Sequence, residues 1–223
     1  LASNSKLGVA KSIGVGMIGL ADAFDRLTPD LVVYLGDRFE GLCVANCCLV
    51  QQIPLAHIFG GDITEGSIDD SVRHAISKAA NLHFPASVDS ANRLIRMGEN
   101  PKCVHMCGHP GLECFSDPQY FLSRSDLSDY LKISLPTHFI VCIFHPETAF
   151  EPQHSCRVLN SLLSALDAVL NQHTEDMKIV FIGSNADANS EKLIEIVKAF
   201  MNKRDDCEYF INMPRRQFVS LVK

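Results

Sequence analysis

The feature that most constrains the fold is an alternation of short apolar runs, rich in β-branched residues, with longer helical stretches. The strand-like runs are Leu31–Leu35, Pro54–Phe59, Leu82–Pro85, Cys103–Cys107, Phe139–Phe144, Lys178–Ile182 and Glu208–Ile211. Strands that alternate with helices predict parallel sheets with helices on both faces. We therefore expect an α/β fold.

The alternation is interrupted between residues 115 and 137, where Pro118, Pro136 and a polar Ser/Asp run occur. Such a break is typical of a domain boundary. We predict two Rossmann-like domains, 1–120 and 121–223, whose parallel sheets face each other across a cleft.

Composition excludes several classes of protein. The net charge of −6 gives no electrostatic reason to expect nucleic acid binding. No apolar run approaches the roughly 18 residues of a membrane span, and no secretory signal is visible. The nine cysteines are an odd number outside loop-rich sequence, which favours free thiols in a reducing cytoplasm. The start at Leu1 and the stop at Lys223, inside a predicted helix, suggest a piece of a longer chain.

Polar residues follow the predicted strands, where open parallel sheets bind their ligands. In the first domain these are residues 36–38, residues 60–62 and, after a loop, residues 69–70. In the second domain they are residues 145–147 and 183–187. We expect the carboxylates of one domain to meet a histidine and an amide of the other on one cleft.

The first-domain carboxylates also have purely structural interpretations. Asp37 is a favoured residue type for the N-cap of the helix that follows it. Ser67 and Asp70 have the spacing of a capping box. Asp69 and Arg73, and likewise Asp70 and His74, have the i,i+4 spacing of ion pairs on a helix surface.

Four further features have competing interpretations. His145 could be a loop histidine, and Asn185 could form a turn. Gly14–Gly19 matches the G-x-G-x-x-G pattern, but the preceding residues read as a helix rather than the strand that a dinucleotide site requires. The alternating Cys, His and Cys of residues 103–107 would share one face of a strand, where small packed side chains are more common than a metal site.

Three stretches, Asp30–Glu40, His57–Asp62 and Gly66–Lys78, closely resemble the hydrolysing UDP-N-acetylglucosamine 2-epimerases of the sialic-acid and legionaminic-acid type. The resemblance runs over essentially the whole chain. It implies two Rossmann-like domains of the glycosyltransferase-B type, both incomplete here, with UDP in the cleft. The family's first strand–helix units and its UDP-binding loop would lie outside residues 1–223, so the resemblance implies that this piece lacks activity.

The resemblance also implies a reaction. Anti elimination of UDP from UDP-N-acetylglucosamine would give 2-acetamidoglucal, and hydration would then give N-acetylmannosamine. Removal of the weakly acidic C2 proton needs a placed carboxylate, and two carboxylates with separated pKa values can act as base and acid. Asp37 and Asp69 match the family's catalytic acids, with Asp70 beside them and Asp62 on the preceding loop as a further catalytic candidate. Arg38, His145 and Asn185 match its substrate-binding positions. The expected partner is a UDP-sugar with neither cofactor nor metal, in a cytoplasmic homo-oligomer without membrane or nucleic acid contacts.

One residue departs from the family pattern. Several members carry a catalytic glutamate after His-Ile, where this chain has Phe59. Asp62 or Glu65 could replace that carboxylate. Three alternatives stay open: a UDP-diacetamido-trideoxy sugar as substrate, a glycosyltransferase of the same fold, or a non-catalytic nucleotide-sugar sensor.

Overall fold

The chain is described from a computed structural model, which places residues 5–146, 150–172, 177–183 and 190–223. It divides into two compact units, Leu1–Pro110 and Gly111–Lys223. The first unit therefore ends at Pro110 rather than at residue 120. The reason is that the segment after Pro110 bonds within the second unit, where the Arg216 guanidinium donates to the backbone carbonyls of Gln119 and Tyr120 at 3.2 and 2.9 Å.

The first unit contains a three-stranded parallel sheet in the order β1-β2-β3. Its elements in chain order are α1 (Lys6–Leu27), β1 (Val32–Leu35), α2 (Glu40–Gln51), β2 (Leu55–Ile58), α3 (Asp69–Ala79), β3 (Leu82–Phe84) and α4 (Val88–Arg96). Leu55 of the central strand and Ile76 of α3 are fully buried in its core. The predicted α/β architecture is confirmed in this unit.

The predicted strand Cys103–Cys107 is wrong in its extent. Cys103 closes a 3-10 turn that begins at Pro101, and only Val104 forms an isolated parallel bridge, to His83. The backbone still runs alongside β3, since the amides of His105 and Cys107 donate to carbonyls of that strand and the residue that follows it. Because Cys103 lies in the 3-10 turn, it does not share a strand face with His105 and Cys107, and the alternating Cys-His-Cys arrangement does not form.

Helix α1 packs in parallel along α2. Three α2 side chains spaced four residues apart, Cys43, Cys47 and Gln51, each donate to an α1 carbonyl thirty positions earlier, at 3.3, 3.5 and 3.1 Å. The Gly14–Gly19 pattern lies inside α1, where a Cβ on Gly16 would lie 3.1 Å from the Cys43 sulfur. Gly16 therefore permits close contact with α2, and the three glycines do not form the strand–turn–helix of a dinucleotide site.

Helix α1 is also long and apolar enough, by length and composition, to cross a membrane. A packed helix of a protein core and a signal sequence meet the same test. Its Val15 and Ile18 side chains are exposed, while its opposite side receives the bonds from α2.

The second unit has a second three-stranded parallel sheet, in the order β4-β5-β6. Its elements are α5 (Arg124–Leu131), β4 (His138–Ile143), α6 (Pro152–Gln172), β5 (Met177–Ile182), α7 (Ser190–Met201), β6 (Cys207–Phe210) and α8 (Arg215–Val222). Ile179 and Phe181 of the central strand pack with α6 and α7, whereas Val180 packs with α5 and α8. Helices therefore cover both faces, as predicted.

All nine cysteines are free thiols. Six of them are buried, including Cys48 and Cys142 in the two cores. They act as small apolar side chains, which agrees with the prediction that no disulfide framework holds this chain together.

Candidate active site

Two glycines shape the carboxyl-end edge of the first sheet. Gly36 has φ +95° directly after β1, and its amide donates to the Ile58 carbonyl at 3.1 Å. Gly61 has φ +83°, and a Cβ there would lie 2.3 Å from the Ser90 carbonyl oxygen. Only glycine fits this approach and this backbone conformation. The loop after β2 is thereby held against the beginning of α4, and Asp37 follows Gly36 on the same edge.

Arg73 of α3 is the centre of this edge. Its side chain is buried, and one of its terminal nitrogens donates to the Asp37 carboxylate and, at 2.8 Å, to the Thr64 hydroxyl. The other donates to the Asp62 carbonyl at 2.9 Å and to the Asp70 carboxylate at 3.4 Å. One guanidinium therefore joins two predicted site carboxylates to the loop after β2. From sequence alone, Arg73 is expected only in an ion pair on the helix surface.

Of the structural interpretations of these carboxylates, the pair of Asp70 with His74 is confirmed at 3.8 Å and the others are wrong. The N-cap of α2 is Phe39, and it makes no side-chain capping bond, so Asp37 does not cap the helix. Ser67 accepts from the Asp69 amide at 3.1 Å, but Asp70 accepts from a loop amide instead of closing a capping box. The guanidinium of α3 pairs with Asp70 rather than with Asp69.

Asp69 begins α3 and is half-buried. In the part of the chain that the structure describes, its carboxylate accepts no hydrogen bond and forms no ion pair. Asp70, by contrast, contacts His74 at 3.8 Å as well as the guanidinium. Among the described residues, Asp69 is therefore the predicted site carboxylate that no side chain engages.

Asp62 has its carboxylate directed towards α4, where it accepts from the buried Ser90 hydroxyl. Glu65 is exposed on the same loop. Phe59 has φ +68°, a left-handed conformation that is rare for an aromatic residue. Its ring stacks on the His109 ring, with centroids 4.3 Å apart and planes inclined by 26°. Position 59 therefore contributes an aromatic face to this edge, and Asp62 helps to hold the loop.

Two of the three predicted substrate-binding residues, Arg38 and His145, follow strands in the described part of the chain. Arg38 follows Asp37, and its half-exposed side chain lies 3.9 Å from the Glu40 carboxylate. His145 is exposed two residues after β4 of the second unit. Asn185 lies outside the described residues.

Comparisons with known proteins address the family and the fold of this chain. A protein family described as UDP-N-acetylglucosamine 2-epimerase matches residues 1–223. The GDP/UDP-N,N'-diacetylbacillosamine 2-epimerase (hydrolyzing) of Campylobacter jejuni is 34% identical over 100% of this chain and 56% of its own length. The UDP-N,N'-diacetylbacillosamine 2-epimerase (hydrolyzing) of Legionella pneumophila is 32% identical over 100% of this chain and 56% of its own. The chain thus spans about half the length of these curated relatives.

Solved structures show the same fold. UDP-GlcNAc 2-epimerase from Methanocaldococcus jannaschii, in complex with UDP-GlcNAc and UDP, has a TM-score of 0.78 at 14% identity, over 96% of this chain and 58% of its own. The enzyme from Neisseria meningitidis bound to UDP-GlcNAc has a TM-score of 0.77 at 18% identity, over 99% of this chain and 59% of its own. The fold is of the glycosyltransferase-B type, and the chain belongs to the UDP-N-acetylglucosamine 2-epimerase family.

Proposed function

We propose that the full-length protein is a hydrolysing UDP-N-acetylglucosamine 2-epimerase, which converts UDP-N-acetylglucosamine into N-acetylmannosamine and UDP. The observation that carries this proposal is the buried Arg73, which holds Asp37 and Asp70 together beside the unengaged Asp69. Carboxylates fixed at the carboxyl-end edge of a parallel sheet lie where such folds bind ligands and are suited to proton transfer.

The proposed reaction has two steps. A carboxylate removes the proton from C2 of the sugar while the bond between C1 and the UDP oxygen breaks, which leaves 2-acetamidoglucal. Water then adds its hydroxyl to C1, and a protonated carboxyl delivers a proton to the opposite face of C2. We assign these transfers to Asp37 and Asp69 and assign Asp70 to orienting Arg73. A catalytic role for Asp62 stays a prediction.

The remaining parts of the proposal concern substrate binding, oligomeric state and cellular location. We assign Arg38, His145 and Asn185 to the diphosphate of UDP, because guanidinium, imidazolium and amide donors match its oxygens. Relatives with bound UDP and UDP-GlcNAc support a nucleotide-sugar ligand. We further propose a cytoplasmic homo-oligomer, which size-exclusion chromatography with light scattering would check.

The test measures turnover of UDP-N-acetylglucosamine by the full-length protein in heavy water. We expect release of UDP and of N-acetylmannosamine with deuterium at C2. Asp37→Asn and Asp69→Asn should each lower kcat by about 100-fold or more, since a placed general base or acid contributes on that order, and both should retain UDP binding. Asp89→Asn is the matched control, because Asp89 is exposed in the first turn of α4 as Asp69 is placed in that of α3.

Three results would contradict the proposal. Release of UDP without an epimerised sugar would exclude the second step. Turnover that requires an added acceptor, with no deuterium at C2, would indicate a glycosyltransferase. Tight binding of the UDP-sugar without any turnover would indicate a sensor.

A second substrate has its own support. The two curated relatives at 34% and 32% identity are named for N,N'-diacetylbacillosamine, and Phe59 gives the edge an aromatic face. We therefore propose the UDP-diacetamido-trideoxy sugar as the alternative substrate of the same reaction. The ratio of kcat/KM for the two UDP-sugars decides between them, and a ratio that favours UDP-N-acetylglucosamine would remove the alternative.

A further inference from the structure

Two hydrogen-bonded routes join the turn after β1 to helix α3. In the first, the Asp37 carboxylate accepts from the Arg73 guanidinium. In the second, the Gly36 carbonyl lies 2.7 Å from His57 Nε2, and His57 Nδ1 lies 3.0 Å from the Ser77 hydroxyl. The Ser77 hydroxyl also lies 3.0 Å from the Arg73 carbonyl, so the two routes meet on α3. The turn is thereby tied to one helix at two adjacent residues.

The protons in the second route follow from chemistry. A backbone carbonyl only accepts, so His57 Nε2 must carry the proton that it donates to Gly36. Burial lowers the pKa of His57 to about 4, with the bond to Gly36 acting in the opposite direction, so the ring is neutral at pH 7. Nδ1 of a neutral ring with a proton on Nε2 is an acceptor, so the single proton of the Ser77 hydroxyl is shared between Nδ1 and the Arg73 carbonyl.

His57 has no route to a bound sugar. Its side chain is fully buried, as is that of Ser77. The loop after β2 covers the pair so closely that a Cβ on Gly60 would lie 2.8 Å from the Ser77 oxygen and 3.0 Å from His57 Nδ1. Any influence of His57 on the reaction therefore passes through the Gly36 carbonyl and the residue that follows it.

We infer that His57 is a positioning residue, which fixes the Asp37 carboxylate by holding the Gly36 carbonyl while Ser77 holds the imidazole. This inference rests on the proposed function, in which Asp37 transfers a proton. Gly36 has a positive φ and no side chain of its own to restrain the turn. Without the bond from Nε2, the Gly36 amide would keep its bond to the Ile58 carbonyl and Asp37 its contact with Arg73, but the Gly36 carbonyl would be unrestrained. A rotation of the peptide between Gly36 and Asp37 would then move the carboxylate relative to Asp69.

Two substitutions of His57 distinguish the roles of its two ring nitrogens. Glutamine can place a donor near the position of Nε2, whereas asparagine reaches only the position of Nδ1. Since a displacement of about 1 Å at a reacting group costs on the order of 100-fold in rate, we expect His57→Asn to lower kcat by about that factor with little change in KM. His57→Gln should recover most of the lost kcat. Ser77→Ala should lower kcat less than His57→Asn, because the bond to Gly36 remains.

His83→Asn is the matched control. His83 is the register partner of His57 on β3 and is equally buried, but its Nε2 bonds to the Glu99 carboxylate at 3.1 Å and not to the site turn. We expect His83→Asn to lower the melting temperature and leave kcat unchanged. Equal kcat for His57→Asn and His83→Asn, or equal damage by His57→Gln and His57→Asn, would overturn the inference.

A measurement without turnover separates this inference from the proposed function. A wild-type protein that turns over neither UDP-sugar contradicts the proposed function alone. In that protein the ¹⁵N spectrum should still show the His57 tautomer with its proton on Nε2, and the ¹³C resonance of the Asp37 carboxyl should move in His57→Asn but not in His83→Asn. A proton on Nδ1, or an Asp37 resonance that His57→Asn leaves in place, would overturn the positioning role.

Discussion

Replacement of Arg73 by lysine tests the central claim about the site. Lysine keeps the positive charge and loses the planar fork, which in Arg73 contacts the Asp37 and Asp70 carboxylates, the Thr64 hydroxyl and the Asp62 carbonyl. A single ammonium cannot reach both loops at once. We therefore expect Arg73→Lys to free at least one carboxylate and to loosen the loop after β2.

The magnitude follows from these contacts. Hydrogen bonds to charged groups contribute about 1.5–3 kcal/mol each, and a loss of more than one would reach the upper end of that range or beyond. Water reaches the Asp37 and Asp70 side chains, which are 29% and 32% exposed, and offsets part of the loss. We expect the free energy of unfolding to fall by about 2 kcal/mol and the melting temperature by about 4–8 °C. A carboxylate displaced by about 1 Å should lower kcat by about 100-fold.

Urea unfolding and kcat measured on the same samples check this prediction. The matched control is Arg204→Lys, because Arg204 also bridges two aspartates, Asp167 and Asp206, with a side chain that is 15% exposed, but lies just before β6 in the second unit. We expect Arg204→Lys to lose a similar free energy of unfolding at unchanged kcat. Full kcat in Arg73→Lys, or equal losses of kcat in both variants, would refute the reasoning.

Three further predictions concern glycine, pH and thiols. Gly61→Ala should lower the free energy of unfolding by about 3 kcal/mol or more, because φ is +83° and the added Cβ would collide with a carbonyl oxygen. Gly14→Ala should raise it by about 0.5–1 kcal/mol, because Gly14 lies inside α1 with open space around it, and urea unfolding compares the two variants. Burial lowers the pKa of His57 from 6.5 to about 4, so between these pH values His57 is protonated in the unfolded chain but not in the folded protein. Its contribution to the free energy of unfolding is therefore complete above pH 6.5 and falls by about 3 kcal/mol towards pH 4. In urea unfolding, His57→Gln should make the free energy of unfolding depend less on pH. Burial raises the pKa of Cys207 to about 12, so iodoacetamide at pH 8 should label the exposed Cys107 and spare Cys207 in the native protein, which mass spectrometry of peptides checks.

Much of the fold could be predicted because its determinants are local. Each predicted strand of the two sheets lies within two residues of an observed one. The strand at Cys103–Cys107 failed because Pro101 starts a 3-10 turn that includes Cys103. The first unit ends at Pro110 because the following segment bonds to Arg215 and Arg216 far along the chain, and such partners leave no local signal.

The candidate site was also predictable only where its determinants are local in sequence. The positions of Asp37 and Asp69 follow from the rule that parallel strands end at one edge, which sequence alone can apply. The role of Arg73 could not be read in this way, since the i,i+4 rule looks for its partner on the same helix while its principal partner, Asp37, lies 36 positions earlier. One signal was present: Val72 and Ile76 place the apolar face of α3 around position 73, and a buried arginine needs carboxylate partners.

Helix α3 carries three of the residues that position the site carboxylates. Asp69, Arg73 and Ser77 are spaced by four residues, so they lie on one side of three successive turns. The first is a proposed proton-transfer residue, the second bonds to the Asp37 carboxylate, and the third holds His57, which bonds to Gly36. All of these contacts join protein groups of the first unit. The protein itself therefore sets the separation of the two proposed proton-transfer carboxylates, and carboxylates held in this way act with little reorganisation.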